Sequence, residues 1–344
     1  MVIFEISNIF ARKIQKKMRK TIIGIGNALV DALIKVENEN ILEHLQLPKG
    51  SMQLVDGERF EEVNQVIQGL PVTYATGGSA GNTILALARL GATPAFIGKV
   101  GHDVYGHLFA DNCRASGIHT HLMPSPLATG VATTFITPDS QRTFATHLGA
   151  AATLTADDLE GSWFEGHHYL YIEGYLVQNH DLIESAVEQA RKAGLKVCLD
   201  LASYNIVEAD HDFFSYLLEK TDMVFANEEE AHAFTGQSPR EALHTLAGLC
   251  ETAIVKIGKD GAMAQSGEVF AECPALPVKN VVDTTAAGDF FAGGFLYAHA
   301  EGRPLEECLK AGSLLAGHVI QVVGTQVTDD TWAQLRTSMQ NPLL

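Results

Sequence analysis

The chain is short of positive charge, of pairable cysteine and of long apolar runs. It carries 24 Lys and Arg against 41 Asp and Glu, a formal net charge of −17. An acidic surface repels phosphate backbones and anionic lipid, which argues against nucleic-acid and membrane-surface partners. The plainer reading of the acidity is solubility. The five cysteines, Cys113, Cys198, Cys250, Cys273 and Cys308, form no C-x-x-C pair and are odd in number. That pattern supplies neither a disulfide framework nor a zinc site, and fits reduced thiols in a cytoplasm. No run of about 18 apolar residues is present to span a bilayer. The fourteen histidines include no H-E-x-x-H, and His167-His168 lie in an apolar, strand-like stretch, where packing is the better reading than metal ligation. P-loop spacing is missing too. "GIGNAL" after the first apolar run opens like a dinucleotide fingerprint, but Leu29 stands where the third glycine belongs.

What is present is enough for a sizeable core. The 344 residues are 46% apolar, which suits one large α/β domain or two modest ones. The start, "MVIFEISNIFARKIQKKMRK", places an apolar stretch before a basic one, the reverse of a secretory signal. Residues 1–17 read as an N-terminal extension, and residues 18–344 as the folded unit.

"KTIIGIGN" reads as a buried strand. "DALIKV" and "SMQLVD" read as short alternating strands, and "GGSAGNTILALARLG" as a helix with a glycine entrance and a Gly91 stop. "GVATTFITPDSQRTFATHLG" alternates Thr with apolar residues around Pro-Asp-Ser, the pattern of a hairpin. From "HYLYIEG" onward, apolar strands alternate with amphipathic helices, which predicts a mostly parallel sheet covered on both faces. The Thr-rich strands do not fit that layer. Their alternation predicts a half-exposed β-sheet, a lid built from insertions at about 32–76 and 128–147.

The stretch "DTTAAGDFFAGGF", Asp283–Phe295, concentrates the chemistry. It opens a helix, whose first N–H groups lack internal partners and carry partial positive charge. Small side chains at Ala286, Ala287 and Gly288 let an anion approach them. A carboxylate at Asp289 would then stand beside a bound phosphate, placed to take a proton from an attacking hydroxyl. Taken alone, the stretch equally permits an Asp that merely serves the helix dipole. An ordinary right-handed or extended backbone is expected at Ala286.

Four ordered motifs decide between these readings. "GGSAGNTILALARLG" leads to "GKVGHDVYG", with Gly101, Asp103 and Gly106 spaced G-x-D-x-x-G. "ANEEEA" presents Asn227 and Glu230 as N-x-x-E, "KIGKDGA" presents Gly258 and Gly261, and the Asp283–Phe295 stretch follows. Together they resemble the ribokinase-like (pfkB) family of small-molecule kinases, with Ala286 where that family usually has Gly. The resemblance covers residues 21 to about 325. It implies a ribokinase-like doubly wound fold with a small β-sheet lid, and ATP-dependent phosphorylation of a primary hydroxyl with Mg2+. It implies Asp289 as catalytic base and the N–H groups of Ala286, Ala287, Gly288 and Asp289 as an anion hole. Asn227 and Glu230 would handle Mg2+ through water, and Gly258 and Gly261 the adenine nucleotide. It also implies a monovalent cation, K+, near Asp283 and Thr285, and a monomer or a homodimer through the lid.

For the acceptor, "GNALVD" with Asn27 and Asp31, the loop Gly77, Gly78, Ser79 to Asn82, and "QRTFATHLGAA" with Arg142 are more similar to adenosine kinases. Asp31 would bind a cis-diol from the end of the first strand. Arg142, near the hairpin tip, would reach the transferring phosphates. Leu29, Phe144 and Tyr175 would wall a nucleobase, or equally belong to the core. A nucleoside such as adenosine is the expected acceptor, and a ribose, ketose or sugar acid the alternative.

Overall fold

The computed structural model describes residues 21–139 and 141–340, so the extension read over 1–17 lies outside the described residues. Fourteen strands follow in order. They are β1 (Ile22–Ile25), β2 (Leu29–Lys35), β3 (Met52–Leu54), β4 (Thr73–Gly77), β5 (Ala95–Gly101), β6 (His119–Ser125) and β7 (Thr129–Ile136). They continue as β8 (Arg142–Gly149), β9 (Tyr169–Glu173), β10 (Lys196–Asp200), β11 (Met223–Asn227), β12 (Thr252–Lys256), β13 (Ala262–Ser266) and β14 (Val269–Cys273).

Nine of these form one sheet in the order β14-β13-β12-β11-β10-β9-β1-β5-β6. From β12 to β6 all pairings are parallel, and the β12-β13-β14 edge is antiparallel. The inner strands β1, β9, β10, β11 and β12 are largely apolar because both faces are covered, whereas the edge strand β6 is polar and partly exposed. One face packs on the helices Ser79–Arg89, Ala287–Ala300 and Leu305–Val319, around Tyr171, Phe225, Phe290 and Phe295. The other packs on His180–Lys192 and its neighbours, around Ile172, Leu199, Val224 and Phe214. Small residues let the first set of helices approach closely. A side chain at Gly294 would lie 2.5 Å from the Ala311 carbonyl oxygen of the next helix.

The second sheet has five strands, ordered β3-β8-β7-β2-β4, drawn from two separate stretches of chain. The expectation of a half-exposed sheet holds only for the edge strands β3 and β4 and fails at its centre. β7 is buried along its whole length, and β2 everywhere but Lys35. The reason is a small core of its own. Helices Asn40–His44 and Gly57–Ile67 contribute Leu42, Leu45, Val63 and Ile67, which cover Ile34, Phe135 and Ala145 on the face turned away from the large sheet. Thr133 and Thr143 share that covered face with Phe135 and Ala145, whereas Leu29, Asp31, Ala132, Thr134 and Phe144 alternate onto the face toward the large sheet, so threonine occurs on both faces.

Candidate active site

A cavity of about 1120 Å3 lies between the carboxyl ends of the parallel strands and the second sheet. That exceeds the usual range of a single small-ligand pocket, roughly 300–1,000 Å3, so it has room for two. Open α/β sheets bind ligands at this edge. Asn27, Asp200, Asn227 and Lys256 reach it from strand ends or the residues just after them.

At the centre is Asp289, in the first turn of the Ala287–Ala300 helix. Its Oδ1 accepts from Ser79 Oγ at 2.8 Å and its Oδ2 from Asn82 Nδ2 at 2.9 Å. Ser79 and Asn82, expected against the acceptor, thus hold the carboxylate in place. Burial outweighs these two bonds and pushes the Asp289 carboxyl up to about 6. Gly77 to Gly81 also have the G-x-S-x-G spacing of a hydrolase elbow. Ser79, however, donates to a carboxylate, with no histidine on it among the described residues.

The helix entrance differs from expectation at Ala286, which is left-handed, φ 58° and ψ 8°. Such a backbone costs a non-glycine residue about 1–2 kcal/mol, and explains why glycine is usual there. The turn forms a concave set of N–H groups of the kind that binds anions. Among the described residues, the N–H groups of Ala286, Gly288 and Asp289 meet no acceptor, whereas Ala287 donates to the Thr284 carbonyl at 3.3 Å.

Asp283, beneath this turn, is fully buried. Its Oδ1 accepts from Thr285 N–H at 2.7 Å and its Oδ2 from Gly324 N–H at 2.6 Å. The Arg142 guanidinium is ion-paired to the same Oδ1. This overturns the expectation for Arg142. Arg142 is neither a solvent-facing turn residue nor a lining residue of the cavity. As the first residue of β8 it is 5% exposed and joins the second sheet to the Asp283 loop. The residues also do not fit K+ at Asp283 and Thr285. Protein donors engage both carboxylate oxygens and a guanidinium already supplies the positive charge, while the buried Thr285 hydroxyl and the Arg142 Nε and Nη1 make no hydrogen bond among the described residues.

Asp31 is not at the end of the first strand but within β2, paired with Ala75 and Ala132 in the second sheet. It is 5% exposed, and no hydrogen bond among the described residues reaches its carboxylate. Burial, then the Asp289 charge, raise it to about 7, with Arg142 opposing. Gly77 and Gly78 make this arrangement feasible. A Cβ on Gly77 would lie 2.2 Å from Asp31 Oδ1, and one on Gly78 would lie 2.1 Å from the Asn27 carbonyl oxygen. Leu29, Phe144 and Tyr175 line the cavity, as expected, together with Met52 and Leu54. The Tyr175 hydroxyl donates to the Ala202 carbonyl at 3.1 Å.

On the opposite side, Asn227 and Glu230 form a capping box. Glu230 N–H donates to Asn227 Oδ1 at 2.8 Å, and Glu230 accepts from Asn227 N–H and Nδ2, both at 2.7 Å. Burial raises the Glu230 carboxyl to about 7, with Lys256 opposing. Gly258 and Gly261 border the same end, beside Leu276, Val278, Ala316 and Ile320. No cluster of three metal-ligating side chains occurs among the described residues. Glu230, buried and facing the cavity, is an oxygen donor of the kind that suits a largely hydrated Mg2+.

Sequence reasoning missed three of these groups. Glu173 accepts from Asn27 N–H (2.8 Å), Asn27 Nδ2 (2.6 Å) and Ala80 N–H (2.8 Å), so it locks Asn27 to the start of the Ser79–Arg89 helix. Asp200 and Lys256 face each other across the parallel strands. The available signal was a charged residue closing each apolar strand run, at "LYIE", "VCLD" and "AIVK".

An acid-capable carboxylate beside an unfilled cluster of N–H groups, in a two-ligand cavity, is the equipment of group transfer to a hydroxyl. Comparison with known proteins agrees. The model of the pfkB family carbohydrate kinases matches residues 51–332. Adenosine kinase 2 of Arabidopsis thaliana is 24% identical over 326 residues, 88% of this chain and 94% of its own. A ribokinase of Mus musculus is 27% identical over 281 residues, 78% of this chain and 85% of its own. Among solved structures, a probable sugar kinase from Rhizobium etli superposes with a TM-score of 0.87 at 34% identity, covering 93% and 99% of the two chains. The adenosine kinase from Sinorhizobium meliloti does so with 0.85 at 34% identity, covering 92% and 99%. The chain belongs to the pfkB family of carbohydrate kinases. It is a phosphotransferase with an alcohol group as acceptor and ATP as donor.

Proposed function

We propose that the acceptor is the 5′-hydroxyl of a nucleoside such as adenosine. The observation that carries this reading is Asp31, a buried carboxylate without a protein partner, facing the cavity beside Asn27. Buried polar groups require partners, and two neighbouring hydroxyls of a ribose supply them. Leu29, Met52, Leu54 and Phe144 offer the apolar surface a base would need. Adenosine kinases are among the similar proteins, and so is a ribokinase.

In this reading Asp289 takes the proton of the attacking hydroxyl. Ala286, Gly288 and Asp289 present their N–H groups to the transferring phosphoryl group, and the nucleotide base lies between the Gly258–Gly261 turn and Ala316. Glu230 would hold Mg2+ through water, and the ion would supply positive charge to the phosphates. The second sheet acts as the lid, excluding water that would otherwise compete as acceptor.

The test is a panel of nucleosides and free sugars with ATP, scored for ADP release. Adenosine should be used, and 2′-deoxyadenosine worse by up to ~10⁴-fold, the discrimination of a site built for a hydroxyl. Inert adenosine alongside ready turnover of ribose, a ketose or a sugar acid refutes the nucleoside assignment.

A further inference from the structure

Lys256 closes β12 and points into the cavity. Its Nζ makes one hydrogen bond among the described residues, a long one of 3.3 Å to Asp200 Oδ2. An ammonium has three protons to donate, so two remain for whatever occupies the cavity. The group stands next to the helix entrance. A Cβ placed on Gly288 would lie only 3.2 Å from Nζ. Burial opposes its charge, but Asp200, Glu230 and Asp289 together outweigh that and hold the amine protonated. A side chain larger than hydrogen at position 288 would crowd that contact, which gives Gly288 a role beyond exposing its own N–H.

We propose that Lys256 is a catalytic cation that contacts the transferring phosphoryl group, with Asp200 as the positioning residue that aims it. The inference rests on the reading of Ala286–Asp289 as the phosphoryl site. During transfer the bond from phosphorus to the bridging oxygen of ADP breaks, and its electron pair leaves with ADP. The acceptor oxygen bonds to phosphorus and its proton passes to Asp289. Negative charge on the peripheral oxygens persists throughout, and Nζ neutralises part of it. Lysine suits this task as a compact point charge.

The competing account is a buried ion pair that only stabilises the fold. Three variants separate the two: Lys256→Met, Lys256→Arg, and the double variant Lys256→Met with Asp200→Asn, which strands no carboxylate. The double variant should fold, bind ADP within about threefold of wild type, and bind the non-hydrolysable β,γ-imido analogue of ATP at least tenfold more weakly. Its kcat should fall ~10²–10³-fold, the scale for losing one preorganised charge donor, while KM for the acceptor changes little. Lys256→Arg should recover part of kcat. If the double variant keeps kcat within threefold, or loses ADP and the imido analogue equally, Lys256 is structural and the proposal fails. Failure of the underlying phosphoryl-site reading looks different. In that case Asp289→Asn also retains turnover, and Lys256→Met leaves both nucleotide affinities unchanged.

Discussion

Replacing Asp289 by Asn should make the protein more stable and nearly inactive at once. Asn is isosteric, and the site accommodates it. Its Oδ1 can accept from Asn82 Nδ2 while its Nδ2 donates to Ser79 Oγ, so both contacts of 2.8 and 2.9 Å survive. What disappears is a buried charge. The carboxyl stands at about 6 against its usual 3.8, chiefly because burial disfavours the anion, and despite Lys256. At about 1.4 kcal/mol per tenfold change, that difference amounts to about 3 kcal/mol. Because the folded-state value is raised, the folded protein binds more protons than the unfolded chain between pH ~4 and ~6. The penalty is therefore absent below pH ~4, grows through that window, and is complete above pH ~6. Denaturant unfolding at pH 7.5 should show the Asn variant more stable by up to about 3 kcal/mol, and the gain should shrink at pH 5. In the same preparation kcat should fall ~10²–10⁴-fold, the usual contribution of a general base. A variant with kcat within threefold of wild type refutes the base assignment. A variant clearly less stable at pH 7.5 refutes the electrostatic reasoning.

Three further outcomes follow from the same geometry. The logarithm of kcat/KM should decline as pH drops below about 6, because Asp289 must be unprotonated to accept the hydroxyl proton; a profile flat down to pH 5 contradicts this. Exchanging K+ for tetramethylammonium should leave the wild-type rate within threefold, because Arg142 already holds Asp283, whereas Arg142→Ala should cost about 3–5 kcal/mol in denaturant unfolding. Strong activation of the wild type by KCl overturns that. Ala286→Gly should stay within about 1 kcal/mol of wild type, relief of the left-handed strain being offset by a more flexible unfolded chain. Ala286→Val should lose more than that, and a neutral Val variant would show that the left-handed turn is not required.

The local patterns carried the secondary structure because they depend on near neighbours alone. Apolar runs became the inner parallel strands, three of them (β9, β10 and β12) closed by a charged residue, and the small-residue entrance at Ala286–Gly288 became the start of a helix whose first N–H groups lack protein acceptors. The four motifs likewise placed Asp289, Asn227, Glu230 and Gly78 around one cavity. Burial on both faces of the second sheet was not legible, since Thr133 and Thr134 look polar in the sequence. Only the packing of Leu42, Val63 and Phe135 shows that β7 has no solvent face. The sequence also contained no sign that Arg142 and Asp283, 141 positions apart by their numbers, form a buried pair. Nor did it show that Asp200 and Lys256 close one side of the site from two different strands. Asp200 and Lys256 meet because the parallel sheet brings its strands' carboxyl ends to one edge, and Arg142 reaches Asp283 because the second sheet lies over that edge. The backbone at Ala286 was decided the same way. Alanine by itself prefers a right-handed or extended conformation, and the surrounding loop, anchored through Asp283 to Thr285, Gly324 and Arg142, holds it left-handed.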